Sequence, residues 1–184
     1  MEPPYRGRDA LIAVLVLILS LIFAPKAHAE KPQDWKEPTY IKVILNKAGD
    51  TAGLPIGLAH CVAYSESRFI PTARSRVVDG YRSDGLMQIY RKYMYGGNGM
   101  IAKFSSYSQS KFNWKDPAMN ATLGCNYLAY LIDRFGGSVY LGILAYNFGE
   151  TNLANLSSWD QVPANCIAYA DEICRNLDNW DESW

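Results

Sequence analysis

The stretch Tyr64-Ser65-Glu66-Ser67-Arg68-Phe69 places one carboxyl group at the end of an almost wholly apolar segment, residues 55–65. This segment has the composition of a helix that is buried on most of its faces. Desolvation and the negative end of the helix dipole would both favour the protonated form of a carboxyl group at that end. A carboxylic acid that stays protonated near neutral pH can donate its proton to a leaving-group oxygen. Glu66 is therefore the candidate general acid.

Two later motifs give Glu66 a context. Gly85-Leu86-Met87-Gln88 follows it, and Ala145-Tyr146-Asn147 comes further along the chain. In this order and at these separations, the motifs resemble the soluble (SLT-type) lytic transglycosylases, lysozyme-like enzymes that cleave peptidoglycan glycan strands. The resemblance covers about residues 40–174. It implies a lysozyme-like single domain that is all-α, or α with a very small β element.

The resemblance also implies roles for individual residues. Glu66 and Tyr146 would be catalytic, with the Tyr146 hydroxyl reaching toward the Glu66 carboxyl group. The expected substrate-binding residues are Ser75, Gly85, Met87, Gln88, Asn147 and Tyr169. Enzymes of this type use one carboxylate, as acid and then as base, and leave a 1,6-anhydromuramyl end. No cofactor and no metal ion are expected.

The loop before Gly85 keeps a second enzymatic interpretation open. It is about four residues longer than the usual SLT pattern, so that Gly85 lies nineteen residues after Glu66, as in goose-type lysozymes. Asp79 falls where those hydrolases carry an aspartate that positions water, whereas Tyr90 stands at the place of their second aspartate. A goose-type muramidase that uses Glu66 with Asp79 is therefore the alternative. A non-catalytic glycan-binding or scaffold protein is a third hypothesis, although Glu66 and Tyr146 are both present.

The first 29 residues have the features of a signal peptide. Arg6 and Arg8 precede an apolar run over residues 10–24, and Ala27-His28-Ala29 offers a cleavage site before Glu30. The run is shorter than the about 20 residues that span a bilayer, so no stable membrane span is expected after cleavage. Retention as an anchor is the alternative. We predict export to the periplasm or cell envelope.

The mature chain, residues 30–184, carries 15 basic and 16 acidic residues, which disfavours nucleic acid as a partner. Peptidoglycan glycan strands are the expected partner, and an envelope-spanning secretion or conjugation apparatus is a further candidate. Residues 30–38 read as an extended lead-in, 39–177 as the lysozyme-like domain, and 178–184 as an acidic tail that frays.

Periodicity predicts five helices, over about residues 40–51, 55–65, 117–135, 139–147 and 163–177. Asp116 and Ser138 are the expected N-caps of the third and fourth of these helices, and Pro117 is the expected first helical residue of the third. Gly53 is the expected cap at the end of the first helix.

The four cysteines of an exported chain favour disulfides, with three pairings possible. Cys166 and Cys174 would lie about 12 Å apart along one helix, too far to bridge. Cys61 and Cys125 lie on two helices that are expected to pack together, so they can pair.

Overall fold

Helices make up most of the fold. The computed structural model describes residues 31–181, so the predicted signal peptide, residues 1–29, lies outside the described range. The helices in this range are α1 (Thr39–Ala52), α2 (Leu58–Ser67), α3 (Met100–Phe104), α4 (Pro117–Arg134), α5 (Val139–Phe148), α6 (Glu150–Ala154) and α7 (Ala164–Asp178). Strands β1 (Ser83–Asp84) and β2 (Ile89–Tyr90) pair antiparallel, and 3-10 turns cover Arg91–Tyr93 and Trp159–Gln161. The predicted class, α with a very small β element, is confirmed.

Local capping chemistry sets the ends of several helices as predicted. The Asp116 side chain accepts hydrogen bonds from two backbone N–H groups in the first turn of α4, and Pro117 occupies the first helical position. The Ser138 hydroxyl accepts from the backbone N–H of Leu141 at the start of α5. Gly53 ends α1 with a left-handed φ of 69°.

Helix α2 is shifted toward the C-terminus relative to its predicted bounds. Residues 55–57 form a turn instead of the first helical turn, because Gly57 has a φ of 85° and the helix begins only after it. The helix then continues to Ser67 and stops where Arg68 and Phe69 both adopt left-handed φ values. Glu66 consequently lies inside the last turn of α2, on a rigid element.

The core forms where α4 packs against α1, α3 and α5, and where α7 packs against α5 and α2. Helix α2 lies at the centre, with Leu58 and Val62 fully buried. Cys61 and Cys125 are also buried, and all four cysteines are free thiols. The structure therefore does not contain the Cys61–Cys125 disulfide that the sequence allowed.

The two ends of the described chain meet on the surface of α2. Trp35 in the lead-in is 5% exposed, and its ring stacks on Tyr64 at 4.5 Å between centroids. Trp180 lies 5.7 Å from Trp35, between ring centroids. The acidic tail was expected to fray, but Trp180 ties its beginning to the core. Within residues 31–181 no single helix has the length and apolarity to cross a membrane, and α4 with α5 passes such a test only as a pair bent by 119°.

Candidate active site

Glu66 lies half-buried in the wall of a cavity of about 350 Å³. Residues from α2, the small sheet and the α5–α6 junction line this cavity: Glu66, Ser83, Gln88, Ile89, Tyr90, Tyr93, Met100, Tyr127, Tyr146, Asn147, Phe148, Gly149 and Asn152. The wall is thus largely aromatic and amide in character. Among the residues that the structure describes, Glu66 is the one carboxylate that lines it.

Tyr169 on α7 is the residue that contacts the Glu66 carboxyl group. Its hydroxyl donates a hydrogen bond of 2.6 Å to Glu66 Oε1. Burial raises the pKa of Glu66 to about 7, and the Tyr169 hydrogen bond opposes this rise because it stabilises the carboxylate. Near neutral pH, Glu66 can therefore both hold a proton and release it.

Tyr146 lies in the same cavity but has a different partner from the predicted one. Its hydroxyl donates to the backbone carbonyl of Met87 at 2.7 Å, rather than to Glu66. Burial and the charge of Glu66 both raise the pKa of Tyr146, so the hydroxyl stays protonated. Tyr169, which was expected among the substrate-binding residues, therefore holds the carboxyl group, whereas Tyr146, which was expected to reach it, holds the Gly-Leu-Met-Gln turn.

The Gly-Leu-Met-Gln turn is fixed from below by Asn120 on α4. The Asn120 side chain accepts from the Met87 N–H at 2.7 Å and donates to the Asp84 carbonyl at 3.1 Å. Gly85 has a φ of 86°, and a Cβ there would collide with the Asn120 amide. Asn120 was not predicted from the sequence, although a polar residue on the apolar face of a predicted helix was a usable signal.

Met87 and Gln88 contribute to the site in different ways. Met87 is fully buried beneath the cavity, and its side chain packs over Gly124, where a Cβ would approach within 2.6 Å of it. Gln88 lines the cavity, but its Nε2 donates to the carbonyls of Gly85 and Ala73. The Gln88 amide therefore fixes the turn and leaves its oxygen for other partners. Asn147 is exposed in the cavity wall.

Ser75 does not line the cavity. Its hydroxyl donates to the Arg76 carbonyl and accepts from the Ser83 N–H at 2.8 Å, bonds that close the loop on itself. Ser83, opposite it, is the serine that lines the cavity. The structure does not place Ser75 in the cavity with Glu66, although the resemblance implied a substrate-binding role for this residue.

The two aspartates of the loop before Gly85 do not face Glu66: one lies in an exposed turn and the other forms buried ion pairs. Asp79 does not line the cavity; it is exposed and has a φ of 52° in the tight turn Val78-Asp79-Gly80-Tyr81. Asp84 is fully buried and forms ion pairs with the Nε atoms of Arg74 and Arg91. Neither aspartate therefore offers a carboxylate to a water molecule beside Glu66. Within residues 31–181 no group of three or more His, Cys, Asp or Glu side chains could hold a metal ion.

A second cavity of about 610 Å³ adjoins the first. The two share Tyr93, Met100, Tyr127, Gly149 and Asn152, and together form one longer cleft. Glu150 lines the second cavity, but it accepts from the Tyr130 hydroxyl and pairs with Arg134, each at 2.8 Å. The arrangement is a long aromatic cleft with one acid of raised pKa in its wall.

Sequence comparison matches residues 44–162 to the family model described as the transglycosylase SLT domain. The chain is also 30% identical, over 122 residues, to the peptidoglycan transglycosylase gp16 of Escherichia phage T7. That match covers 66% of this chain and 9% of the phage protein. The chain thus corresponds to a small part of this much longer relative.

Two solved structures share the fold. The 70-kDa soluble lytic transglycosylase Slt70 of Escherichia coli superposes with a TM-score of 0.61 at 21% identity, over 75% of this chain and 23% of Slt70. An inactive mutant of the lytic transglycosylase Slt from Pseudomonas aeruginosa superposes with a TM-score of 0.65 at 21% identity, over 91% of this chain and 28% of that protein. These likenesses establish the lysozyme-like fold.

Proposed function

The chain belongs to the transglycosylase SLT domain family, and from this we propose that it is a peptidoglycan lytic transglycosylase. It would cleave the β-1,4 bond between N-acetylmuramic acid and N-acetylglucosamine and leave a 1,6-anhydromuramyl end. One observation carries this proposal: within residues 31–181, Glu66 is the single carboxyl group that faces the first cavity, and its pKa is raised to about 7. One group of that pKa can serve as acid and as base in successive steps.

In the first step, Glu66 is protonated and donates its proton to the glycosidic oxygen. The bond between C1 of the muramic acid and that oxygen breaks, and the N-acetylglucosamine part leaves with a free 4-hydroxyl. The carbonyl oxygen of the muramic N-acetyl group bonds to C1 and gives an oxazolinium-like intermediate. Tyr169 then stabilises the newly formed Glu66 carboxylate through its hydrogen bond of 2.6 Å.

In the second step, the Glu66 carboxylate takes the proton from the C6 hydroxyl of the same muramic acid. The C6 oxygen bonds to C1, and the bond between C1 and the N-acetyl oxygen breaks. Glu66 is protonated again, and no water is consumed. Tyr146 keeps the Met87 backbone in place beside the cavity.

Hydrolysis by a goose-type mechanism would require a second carboxylate that positions water, and most glycosidases use two carboxyl groups. The ion pairs of Asp84 and the exposed turn position of Asp79 speak against that assignment. These contacts favour the single-carboxylate reaction over the muramidase alternative. A non-catalytic glycan-binding role would leave the raised pKa of Glu66 without a use.

We place this reaction in the periplasm or cell envelope, on the strength of the signal-peptide features in residues 1–29 and the peptidoglycan substrate. Wall turnover, a phage function, and the opening of a passage for a secretion or conjugation apparatus are all compatible with an exported enzyme of this kind. The T7 relative is itself a phage protein.

The test is digestion of purified peptidoglycan with residues 30–184, followed by mass spectrometry of the soluble products. We expect muropeptides that are one water lighter than hydrolytic products and that borohydride cannot reduce. Glu66→Gln is the matched variant, since it keeps the shape of the side chain and removes the proton transfer. It should bind peptidoglycan and release no product.

The other outcomes are equally clear. Reducible muramic ends would replace the transglycosylase proposal by the hydrolase. Product release by Glu66→Gln would overturn the assignment of Glu66 as the acid. Binding without any product from the wild-type chain would favour the non-catalytic hypothesis.

A further inference from the structure

The loop between Ser75 and Ser83 is a rigid β-hairpin. The backbone N–H and carbonyl groups of Val78 and Tyr81 bond to each other at 2.7 and 3.0 Å, across the Asp79-Gly80 turn. Both turn residues have positive φ values, 52° and 80°, as the tightest hairpin turns require. The Tyr90 hydroxyl donates to the Val78 carbonyl at 3.0 Å and ties the hairpin to the small sheet.

Strand geometry places Tyr81 on the same face as the cavity-lining residues. Ser83 and Tyr90 are directly paired and both line the first cavity. Residues two apart on a strand point to the same face, so Tyr81 shares the face of Ser83. Its ring packs edge-on against Tyr90 at 6.2 Å, and Tyr90 packs against Tyr93 at 5.6 Å. A row of three aromatic rings therefore runs from inside the cavity onto the hairpin.

Both ends of this row are open to solvent: Tyr81 on the hairpin is 44% exposed and Tyr93 in the cavity wall is 59% exposed. A tyrosine ring offers an apolar face together with a polar hydroxyl, and the C–H face of a pyranose ring matches it. A glycan strand is a polymer longer than the cavity, so a strand that leaves the cavity along this row would bring its next sugar onto the hairpin.

We propose that Tyr81 forms an additional sugar-binding subsite, on which a further ring of the glycan strand stacks outside the cavity that holds Glu66. This inference takes its ligand, a peptidoglycan glycan strand, from the proposed function. It adds a dependence of binding on strand length: strands long enough to reach Tyr81 bind more tightly than short ones. The continuity of the aromatic row with the cavity favours a sugar as its occupant.

The test compares Tyr81→Ala with the wild-type chain on two sets of peptidoglycan-derived glycan strands, short ones that fill only the cavity and long ones. We expect KM for the long strands to rise by about three- to tenfold, the size of a lost aromatic contact, with kcat unchanged. KM for the short strands should not change. Tyr40→Ala is the matched control, since Tyr40 is 55% exposed on α1 and lines neither cavity.

Binding is measured separately, by sedimentation with insoluble peptidoglycan in the Glu66→Gln background. Adding Tyr81→Ala to Glu66→Gln should weaken binding, which distinguishes a failed subsite from a failed assignment of the reaction. If the wild-type chain releases no product but Tyr81→Ala still weakens binding, the subsite stands and the proposed function falls.

Three results would overturn the subsite. The first is unchanged KM and unchanged binding in Tyr81→Ala. The second is an equal rise in KM for short and long strands. The third is unchanged glycan binding together with weaker binding to vesicles of anionic phospholipid, which would make the hairpin a membrane contact, with exposed Val77 and Val78 between Arg76 and Arg82.

Discussion

At the scale of single residues, the pKa of Glu66 is set by two opposed contributions. Burial removes solvent from the carboxyl group and raises the pKa, while the Tyr169 hydroxyl bonds to the ionised form and lowers it. An acid with a pKa far above 7 would stay protonated but would release its proton reluctantly, whereas a carboxyl group with an ordinary pKa would be ionised near pH 7 and could not act as the acid. The hydrogen bond therefore keeps one group usable in both roles.

Tyr169→Phe is expected to shift the pH profile of cleavage to higher pH. For the wild-type chain, kcat/KM should fall above about pH 7 as Glu66 loses its proton. Without the hydroxyl the carboxylate loses a stabilising bond, so the alkaline limb should move up by about one pH unit. The measurement is kcat/KM for peptidoglycan between pH 5 and 9.

Tyr146→Phe is the control for that shift, because its hydroxyl bonds to the Met87 carbonyl rather than to Glu66. Its alkaline limb should stay closer to that of the wild-type chain. A larger shift in Tyr146→Phe than in Tyr169→Phe would contradict the assignment of the two tyrosines.

Glu66→Gln is expected to change the pH dependence of stability. The pKa of Glu66 is about 7 in the folded chain against the ordinary value of 4.5 for a glutamic acid, so between these values the folded state binds more protons than the unfolded state. The contribution of Glu66 to stability is therefore fully present below about pH 4.5 and is lost as the pH rises through 7. Gln does not titrate and should remove this loss. The free energy of unfolding in urea at pH 4 and pH 8 measures it.

The free energy of unfolding of Glu66→Gln minus that of the wild-type chain should be larger at pH 8 than at pH 4. The expected increase is about 3 kcal/mol, which is the free-energy equivalent of the change in the pKa of Glu66 on folding. The difference arises because only the wild-type chain must hold a buried charge at pH 8. The same stabilisation at both pH values would show that the folded chain does not raise the pKa of Glu66.

At the scale of the elements, the Gly-Leu-Met-Gln turn is held between α2 and α4. Ser67 at the end of α2 donates to the Leu86 carbonyl at 2.7 Å, and Asn120 on α4 accepts from the Met87 N–H. The turn that forms the cavity floor thus has its backbone groups satisfied from both sides. Its position relative to Glu66 follows from these side-chain contacts.

Asn120→Ala is expected to destabilise the chain by about 2 kcal/mol, because it leaves the buried Met87 N–H without its acceptor. Thr122→Ala on the same helix is the control: Thr122 is only partly buried and its hydroxyl bonds to the Ala118 carbonyl of its own helix, so its loss should change stability by about 0.5 kcal/mol. Urea unfolding of both variants measures the difference. Equal effects would mean that Asn120 does not hold the turn.

Helix ends could be predicted from the sequence where their chemistry is local. Asp116 and Ser138 each bond to N–H groups within three residues, and both predictions are confirmed. The start of α2 could not be predicted in this way. The left-handed Gly57 lies against the ring of Trp180, where a Cβ would collide, so a contact from the far end of the chain sets that helix end.

Most residues of the candidate site could be predicted from the sequence, but their hydrogen-bond partners could not. Glu66, Gln88, Tyr146 and Asn147 were predicted, and the structure brings them to one cavity. Which tyrosine reaches Glu66 depends on how α7 packs against α2, across 103 residues of chain. Ser75 and Ser83 face each other across the hairpin, and the pairing register of the hairpin decides which of the two lines the cavity. The spacing of the motifs does not define that register.

At the scale of the whole molecule, His60 links the lead-in, α1, α2 and the C-terminal segment. Its Nδ1 lies 2.6 Å from Glu37 Oε1 and its Nε2 lies 2.7 Å from Asn46 Oδ1. The ring also packs against Trp180 at 4.7 Å between centroids. These contacts give His60 a structural place six residues before Glu66.

Glu37→Ala is expected to destabilise the chain by about 2 kcal/mol, since the Glu37 and His60 side chains are each only 2% exposed and removing one partner leaves the other buried without its hydrogen bond. Glu172→Ala is the control, because its pair with Arg68 spans 3.9 Å between side chains that are 43% and 48% exposed, and such pairs contribute about 0–1 kcal/mol. Thermal and urea unfolding measure both. If Glu37→Ala proves as mild as Glu172→Ala, the lead-in is not anchored through His60. If it is severe, the segment before α1 belongs to the folding unit that holds Glu66 in place, and residues 31–38 must be kept in any shortened chain that is assayed for cleavage.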